Sequence, residues 1–392
     1  MAVQSMKDVE LGGKRVLIRE DFNVPLKDGV VQDDTRIRMA LPTIRAALDA
    51  GAHVILMSHM GRPKEGEFDE ALSLKPVAAA LEKALDQPVE LVRDWEGGVD
   101  AGPDKILLLE NIRFAKGEKA DDDELGRKLA ALCDVFVFDA FGAAHRAQAS
   151  THSVMKHAPV VVAGLLMEKE LDSLGKAIEN PQRPLVAILG GAKVSSKLGV
   201  LKNLVSKVDV LIVGGGIANT FLAAAGKNVG KSLHEPDLIE DAKAIMKMAE
   251  EKGVEMPLPE DAVIASELSK NARPHLESVD VINDEDMILD IGPQTAKKYG
   301  DLIKGAKTVL WNGPVGAFEY DQFAGGTKVL GYAIKDSEAF SVVGGGDVVS
   351  ALEMFGLADG VSYISTGGGS FLEFVEGKEL PAVKLLKERS AG

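Results

Sequence analysis

The chain has 392 residues, 46% of them apolar, and a formal charge of −15, from 45 lysines and arginines against 60 aspartates and glutamates. That length suits two or three domains of ~150 residues each, and the acidic balance excludes non-specific nucleic-acid binding, which needs basic surface. Cys133, the only cysteine, excludes an internal disulfide and a cysteine zinc site and reads as a buried filler. No apolar run approaches the ~18 residues of a membrane span. The opening stretch MAVQSMKDVELGGKR has no apolar signal core, so a soluble cytoplasmic protein is expected.

In chain order, the first half alternates strand-like and helix-like segments. Strands are predicted at 15–19, 53–58, 105–109, 135–138 and 160–163. Between them, helices are predicted at 36–50, with Ile37, Leu41, Ile44 and Leu48 on one face, at 76–85, with Pro76 in the first turn, and at 122–132. A helix at 168–179 is stopped by Asn180-Pro181-Gln182-Arg183-Pro184, where a domain boundary is placed. The second half repeats the pattern, with strands near 185–189, 210–213, 263–265, 287–291, 308–311, 340–343 and 363–365 and the clearest helix at 237–252. The expected fold is therefore α/β: two doubly wound, parallel-sheet, Rossmann-like domains joined by a hinge helix.

In such sheets, functional residues gather at the carboxyl ends of strands. In the first half those ends read Glu20-Asp21-Phe22-Asn23, Ser58-His59-Met60-Gly61-Arg62, Glu110-Asn111-Ile112-Arg113 and Asp139-Ala140-Phe141-Gly142, the last running on to Arg146; Arg36 opens the first helix. Four arginines at comparable positions, with His59, Asp21 and Asn23, fit a polyanionic ligand, because guanidinium forks match phosphate and carboxylate oxygens. In the second half the strand ends are glycine-rich: 190–191, 214–216, 313, 344–346 and 367–369. Each cluster alone reads equally well as tight packing; five together favour a nucleotide. The stretch Leu185–Lys197 gives strand, glycine turn and helix start, with Ser195 or Ser196 able to cap the helix and Lys193 and Lys197 beside an anion site. Asp347, after Gly346, can serve Mg²⁺ or cap its helix. The run 226–232 has one residue too few for a P-loop, and no G-x-G-x-x-G occurs, which weakens a dehydrogenase reading.

Beyond these readings, the chain resembles the phosphoglycerate kinase family from about Arg15 onward. The resemblance rests on residues 15–25 (RVLIREDFNVP), 58–64 (SHMGRPK), 139–142 (DAFG), 190–194 (GGAKV), 311–314 (WNGP) and 344–347 (GGGD). It implies an N-terminal 3-phosphoglycerate domain (1–167) to which the C-terminal segment 376–392 returns, a hinge (168–182) and a nucleotide domain (183–375). It implies substrate contacts from Asp21, Asn23, Arg36, His59, Met60, Gly61, Arg62, Arg113 and Arg146. Nucleotide contacts would come from Gly191, Lys193, Lys197, Gly215, Asn312, Pro314, Glu319, Gly345, Gly346, Asp347 and Val348, with Asp347 on Mg²⁺. Arg36, Lys193, Gly346 and Gly369 would face the transferred group. Gln148 and Ser370 depart from residues common in the family, without replacing any residue given a role here. The implied activity is reversible phosphoryl transfer between ATP and the carboxylate of 3-phosphoglycerate, in glycolysis and gluconeogenesis, by a monomer that binds no nucleic acid and no membrane. A non-catalytic anion-binding protein is the rival from another class; it explains the arginines but leaves the glycine clusters without a purpose.

Overall fold

Strand β1 (Arg15–Arg19) is flanked in sequence by glycines and a polar loop, and every one of its apolar residues is buried. It lies at the middle of a six-stranded sheet. A two-residue hairpin, β2 (Leu26–Lys27) and β3 (Val30–Val31), follows it, and then come β4 (His53–Met57), β5 (Val89–Val92), β6 (Ile106–Leu109), β7 (Val135–Phe138) and β8 (Val160–Ala163). The sheet order is β5-β6-β4-β1-β7-β8, parallel throughout. Alternate residues Val16, Ile18, Val54, Leu56, Leu108, Val135 and Val137 pack against Ile37, Ile44, Val77 and Leu81 of the helices Thr35–Asp49 and Lys75–Leu85, and against Leu74 at the cap of the second. The opposite set, Leu17, Ile55, Leu107, Phe136 and Phe138, is buried as well. A parallel sheet covered on both faces needs such unbroken apolar strands. The edge strand β5 was not foreseen, because its residues are half-exposed and show no strong pattern.

The second half contributes β9 (Leu185–Leu189), β10 (Val210–Val213), β11 (Asp261–Ala265), β12 (His275–Ser278), β13 (Met287–Ile291), β14 (Thr308–Asn312), β15 (Phe340–Val343) and β16 (Tyr363–Ile364). Five of these form a parallel sheet, β10-β9-β14-β15-β16, whose core holds Ile188, Ile212, Val309, Trp311 and Val343 against Tyr299, Ile303, Leu330 and Leu352. The other three correct the sequence reading. Strands β11 and β13 do not join the parallel alternation but pair antiparallel in a separate sheet, β12-β11-β13. Only β12 and turns connect them, and a parallel pair needs a longer crossover, usually a helix. Strand β12 itself escaped notice because three of its four residues are exposed.

The computed structural model describes residues 3–103 and 105–390. It divides into two compact units, Met1–Leu171 with Glu379–Gly392, and Asp172–Lys378. The division falls within the helix Leu165–Leu174, which begins three residues earlier than predicted and gives way to a wide π turn at Gly175–Glu179. The early start has a tertiary cause: Leu165 N donates to Thr43 Oγ1 (3.0 Å) and Met167 N to Asp139 Oδ1 (2.9 Å), so distant side chains satisfy the helix's first N–H groups. The last helix, Pro381–Ser390, belongs to the first unit, where Arg389 Nη2 donates to Ala158 O (2.7 Å) and Ser390 Oγ accepts from Gln4 N (2.8 Å). Positions 391 and 392 of the C-terminal segment lie outside the described residues.

Candidate active site

The first unit builds a basic cradle at the carboxyl ends of β1, β4, β6 and β7. Arg36, in the first turn of its helix, donates through Nη1 to Asp21 Oδ1 (2.9 Å) and Asn23 O (3.2 Å). Burial disfavours ionising Asp21, but Arg36 leads the charges and N–H groups that outweigh it, and the carboxyl stays below its ordinary range. Asn23 Oδ1 accepts from Gly61 N (2.9 Å), and Arg113 Nη1 donates to Gly61 O. Gly61 has φ +57°, and a Cβ there would lie 2.6 Å from Leu72 Cδ2, so this turn needs glycine. Met60 is clipped on both sides by one side chain: Asn111 Oδ1 accepts from its N–H (3.1 Å) and Asn111 Nδ2 donates to its carbonyl (2.7 Å).

His59 is 5% exposed, and burial pushes its imidazole well below the usual range, with the Arg19, Arg113 and Arg36 charges adding to the effect and Asp21 opposing it. Its Nδ1 lies 3.3 Å from Arg19 Nη2. Arginine only donates, so Nδ1 accepts and the neutral ring keeps its proton on Nε2, as a donor. Burial, then Arg146 and Arg19, lower the Arg113 guanidinium to about 10. Its Nε is buried without a partner among the described residues. Half-buried Arg146 donates to His145 Nε2 (3.0 Å). Exposed Arg62 makes no hydrogen bond or ion pair with a described residue. A positively charged, partly desolvated cradle with unspent donors suits an anion bearing several oxygens.

Beneath it lies a layer that sequence reasoning did not single out. Fully buried Arg19 donates to Ser150 Oγ (3.0 Å) as well as approaching His59. Glu118 accepts from Ser150 N (2.9 Å) and from its hydroxyl. Glu110 accepts from Ser73 Oγ (2.7 Å), Leu74 N (2.9 Å) and Asn111 N (2.7 Å). For Arg19 and Glu110 the available signal was charge at the ends of otherwise apolar strands, where an ion needs a partner; Glu118, in a loop, carried none.

The second unit carries the glycine-lined half. Lys197 Nζ donates to Gly190 O and to Asn312 O (3.4 Å). Burial lowers its ammonium to about 8, against the pull of Asp347. Asn312 Nδ2 donates to Gly344 O, tying β14 to the loop after β15. The packing reading of the glycines holds for several of them. A Cβ on Gly190 would meet Pro314 O at 1.9 Å, and one on Gly215 would meet Gly191 O at 2.7 Å. Gly346 has open space where a Cβ would be, and it starts the helix Gly346–Met354 with exposed Asp347 in the first turn and Val348 in the core. Gly369 likewise opens the helix Gly369–Val375 on the exposed side. Exposed Lys193 and Glu319 make no side-chain hydrogen bond or ion pair with described residues.

Two capping expectations are corrected. The helix after β9 starts at Leu198 with Lys197 at the cap position and no side-chain cap; Ser195 instead gives its hydroxyl (2.6 Å) and N–H (2.8 Å) to Glu235. Asp347 caps nothing either, since Gly345, with φ +105°, occupies the N-cap. The Asp347 carboxylate is therefore uncommitted. No group of three or more His, Cys, Asp or Glu is poised for a metal among the described residues. A single exposed carboxylate still fits Mg²⁺, which keeps several waters and is completed by substrate phosphates.

An arginine and histidine cradle on one α/β unit, and an open helix start flanked by lysine and an uncommitted carboxylate on the other, define a small-molecule phosphotransferase. The comparisons agree. The family profile described as phosphoglycerate kinase matches residues 6–378. The structure of phosphoglycerate kinase from Coxiella burnetii is 49% identical, covering 99% of this chain and 100% of that one, with a TM-score of 0.96. That of phosphoglycerate kinase from Pyrococcus horikoshii OT3 is 32% identical, covering 99% of both chains, with a TM-score of 0.84. The chain belongs to the phosphoglycerate kinase family and has that family's phosphotransferase activity.

Proposed function

We propose that this chain transfers a phosphoryl group directly between Mg²⁺-bound ATP and the carboxylate of 3-phosphoglycerate, the first unit holding the acid and the second the nucleotide. The observation that carries the division of labour is the pinned Arg36–Asp21–Asn23 group beside His59 and Arg113. The acceptor carboxylate, with an ordinary pKa near ~4, is already the nucleophile at neutral pH and needs no general base. What remains is alignment and positive charge around a transition state spread over three phosphoryl oxygens. Arg62, Arg113, Arg146 and the Nε2–H of His59 grip the distal phosphate and hydroxyl. Gly61 and Met60 present backbone in the same loop. Arg36 and Lys193 face the migrating group, with the N–H groups at Gly346 and Gly369 aimed at its oxygens.

Lys197 meets the nucleotide phosphates, Gly345 and Val348 shape the phosphate turn, and Gly191, Gly215, Asn312 and Pro314 form the wall against which the nucleotide lies. Glu319 accepts from the ribose. Asp347 would hold Mg²⁺, which would shield the polyphosphate charge. The part of the helix Leu165–Leu174 from residue 168 onward and the turn after it serve as the hinge for closure, the stretch 168–182 lying between a domain at 1–167 and one at 183–375.

The test separates the halves. Asp347→Ala is expected to raise the Mg²⁺-nucleotide KM and lower kcat at least tenfold, roughly the loss of one charge-assisted contact, while 3-phosphoglycerate affinity by calorimetry changes less than about twofold. A change confined to thermal stability would refute the metal role.

A further inference from the structure

Glu20 has no part in the transfer just described, yet it follows Arg19 and precedes Asp21 and is completely buried. Its main chain is fixed: its N–H donates to Met57 O (2.9 Å) and its carbonyl accepts from Arg19 Nη1. Neither carboxyl oxygen meets an N–H or O–H donor. What the carboxyl meets is Asp139, which stands just past β7, the parallel neighbour of β1. Asp139 is also fully buried. Its Oδ1 accepts from Met167 N (2.9 Å), the Thr43 hydroxyl donates to the same carboxyl group, and Oδ2 has no donor. The charges nearby are committed elsewhere: Arg19 to Ser150 and His59, and Asp21 to Arg36. Two ionised carboxylates in contact, dry and with no cation bonded to the facing oxygens, repel strongly, and one proton between them turns the contact into a short charge-assisted hydrogen bond.

We propose that Glu20 holds a proton at neutral pH, donates it to Asp139, and by this bond acts as a positioning residue for the phosphoglycerate loop Asp21–Asn23. Burial first, then the Asp139 and Asp21 charges, raise the Glu20 carboxyl well above its ordinary range against the pull of Arg19; Asp139 is raised to about 6 by burial and remains the acceptor. The bond matters because of what it joins. Through Thr43, Asp139 grips the helix that carries Arg36, and Glu20 is the residue before the carboxylate that orients Arg36. A neutral Glu20 also removes one negative charge from beneath an anion site. The inference rests on the reading of Asp21, Asn23 and Arg36 as phosphoglycerate contacts.

The experiment has a spectroscopic arm and a kinetic arm, both on the full chain. Infrared difference spectra between the wild type and Glu20→Gln at neutral pH, in which the buried Asp290 common to both cancels, should show a buried carboxylic-acid carbonyl band belonging to the wild type alone. Its absence from the wild type overturns the proton assignment, whatever the substrate site proves to be. In kinetics, Glu20→Gln, whose amide donates as the acid does, should keep the 3-phosphoglycerate KM within about twofold. Glu20→Leu fills the space but leaves Asp139 Oδ2 unpaired, and should raise that KM about fivefold to tenfold with the ATP KM little changed. A folded Leu variant with normal KM, or a Gln variant as impaired as Leu, overturns the positioning role. If Glu20→Leu does not fold, the band and the Gln variant still decide. Should Arg36→Ala leave phosphoglycerate kinetics intact, the site reading fails separately from the proton assignment.

Discussion

Arg36 is held in place before any ligand arrives, and Arg62 is not. Asp21 and the Asn23 carbonyl fix one edge of the Arg36 fork, whereas the exposed Arg62 side chain has no partner among the described residues. A donor that needs no reorganisation stabilises charge as it develops, which is what separates transition-state binding from uniform binding. Arg36→Ala is accordingly expected to cut kcat by ~10³ or more, the low end for an arginine in phosphoryl transfer, with a modest effect on 3-phosphoglycerate affinity. Arg62→Ala should raise that KM about tenfold, one charge-assisted contact, with a smaller change in kcat. Arg36→Lys should recover only part of the loss, since one ammonium cannot bond Asp21 and reach substrate as a planar fork does. Near-normal kcat for Arg36→Ala at saturating substrate, with circular dichroism unchanged, would remove Arg36 from the transition state. His59 shows the same economy in neutral form: a buried imidazole cannot stay charged among three arginines, so it serves as a one-proton donor.

At the scale of elements, the antiparallel sheet supplies a support that the parallel sheet lacks. Asp290, near the end of β13, accepts from Gly326 N (2.7 Å) and Ile291 N (2.9 Å) and so ties to the sheet the start of the helix Gly325–Lys335, which follows the loop carrying Glu319. Burial raises its carboxyl to about 7 although these N–H groups pull the other way. The folded state thus binds a proton more tightly than the unfolded chain between the ordinary carboxyl value of ~4 and about 7. Stability from this group is greatest at the acid end of that window and falls as pH rises through it. At ~1.4 kcal/mol per unit, the loss is on the order of 3–4 kcal/mol across the window. Urea unfolding of the second unit, followed by buried Trp311 with Trp95 replaced by Phe, should show the wild type losing stability relative to Asp290→Asn from pH 5 to 7.5. A constant difference across that range would show that Asp290 is ionised throughout. The parallel strands and their polar ends were legible because both faces are buried and the chemistry follows each strand directly in sequence. The direction of β11 and β13 was not, since an apolar run reads the same whichever way its neighbour runs. Nor were Arg19, Asn111 and Glu118, whose partners come from far along the chain: Arg19 reaches Ser150 across 131 residues. Ser195 and Asp347 misled because a polar residue near a helix start looks like a cap until a better partner, or a glycine in the cap position, is seen.

For the whole molecule, the proposed function divides the chemistry between two compact units, while phosphoryl transfer demands reacting atoms about 3 Å apart in line. The chain crosses from one unit to the other only twice, within Leu165–Leu174 and between Lys378 and Glu379. Units so joined move relative to one another unless a large apolar interface prevents it, and closure upon ligands is the common solution where water must be excluded. Exclusion has a calculable return. A pair of unit charges 4 Å apart gains about 1 kcal/mol in water and about 4 at an effective dielectric of 20, so each lysine or arginine aimed at the phosphoryl group strengthens as the solvent leaves. The same step keeps ATP from being hydrolysed. On the proposed division, in which each ligand contacts one unit, neither alone should drive closure fully. Small-angle scattering with 3-phosphoglycerate, Mg²⁺ and a non-transferable ATP analogue should therefore give a smaller radius of gyration than either ligand alone. Arg36→Ala, lacking a group proposed to face the migrating phosphoryl, should compact less. If the ternary complex matched the free protein, transfer would have to occur without closure, and the helix Leu165–Leu174 would lose its part as a hinge.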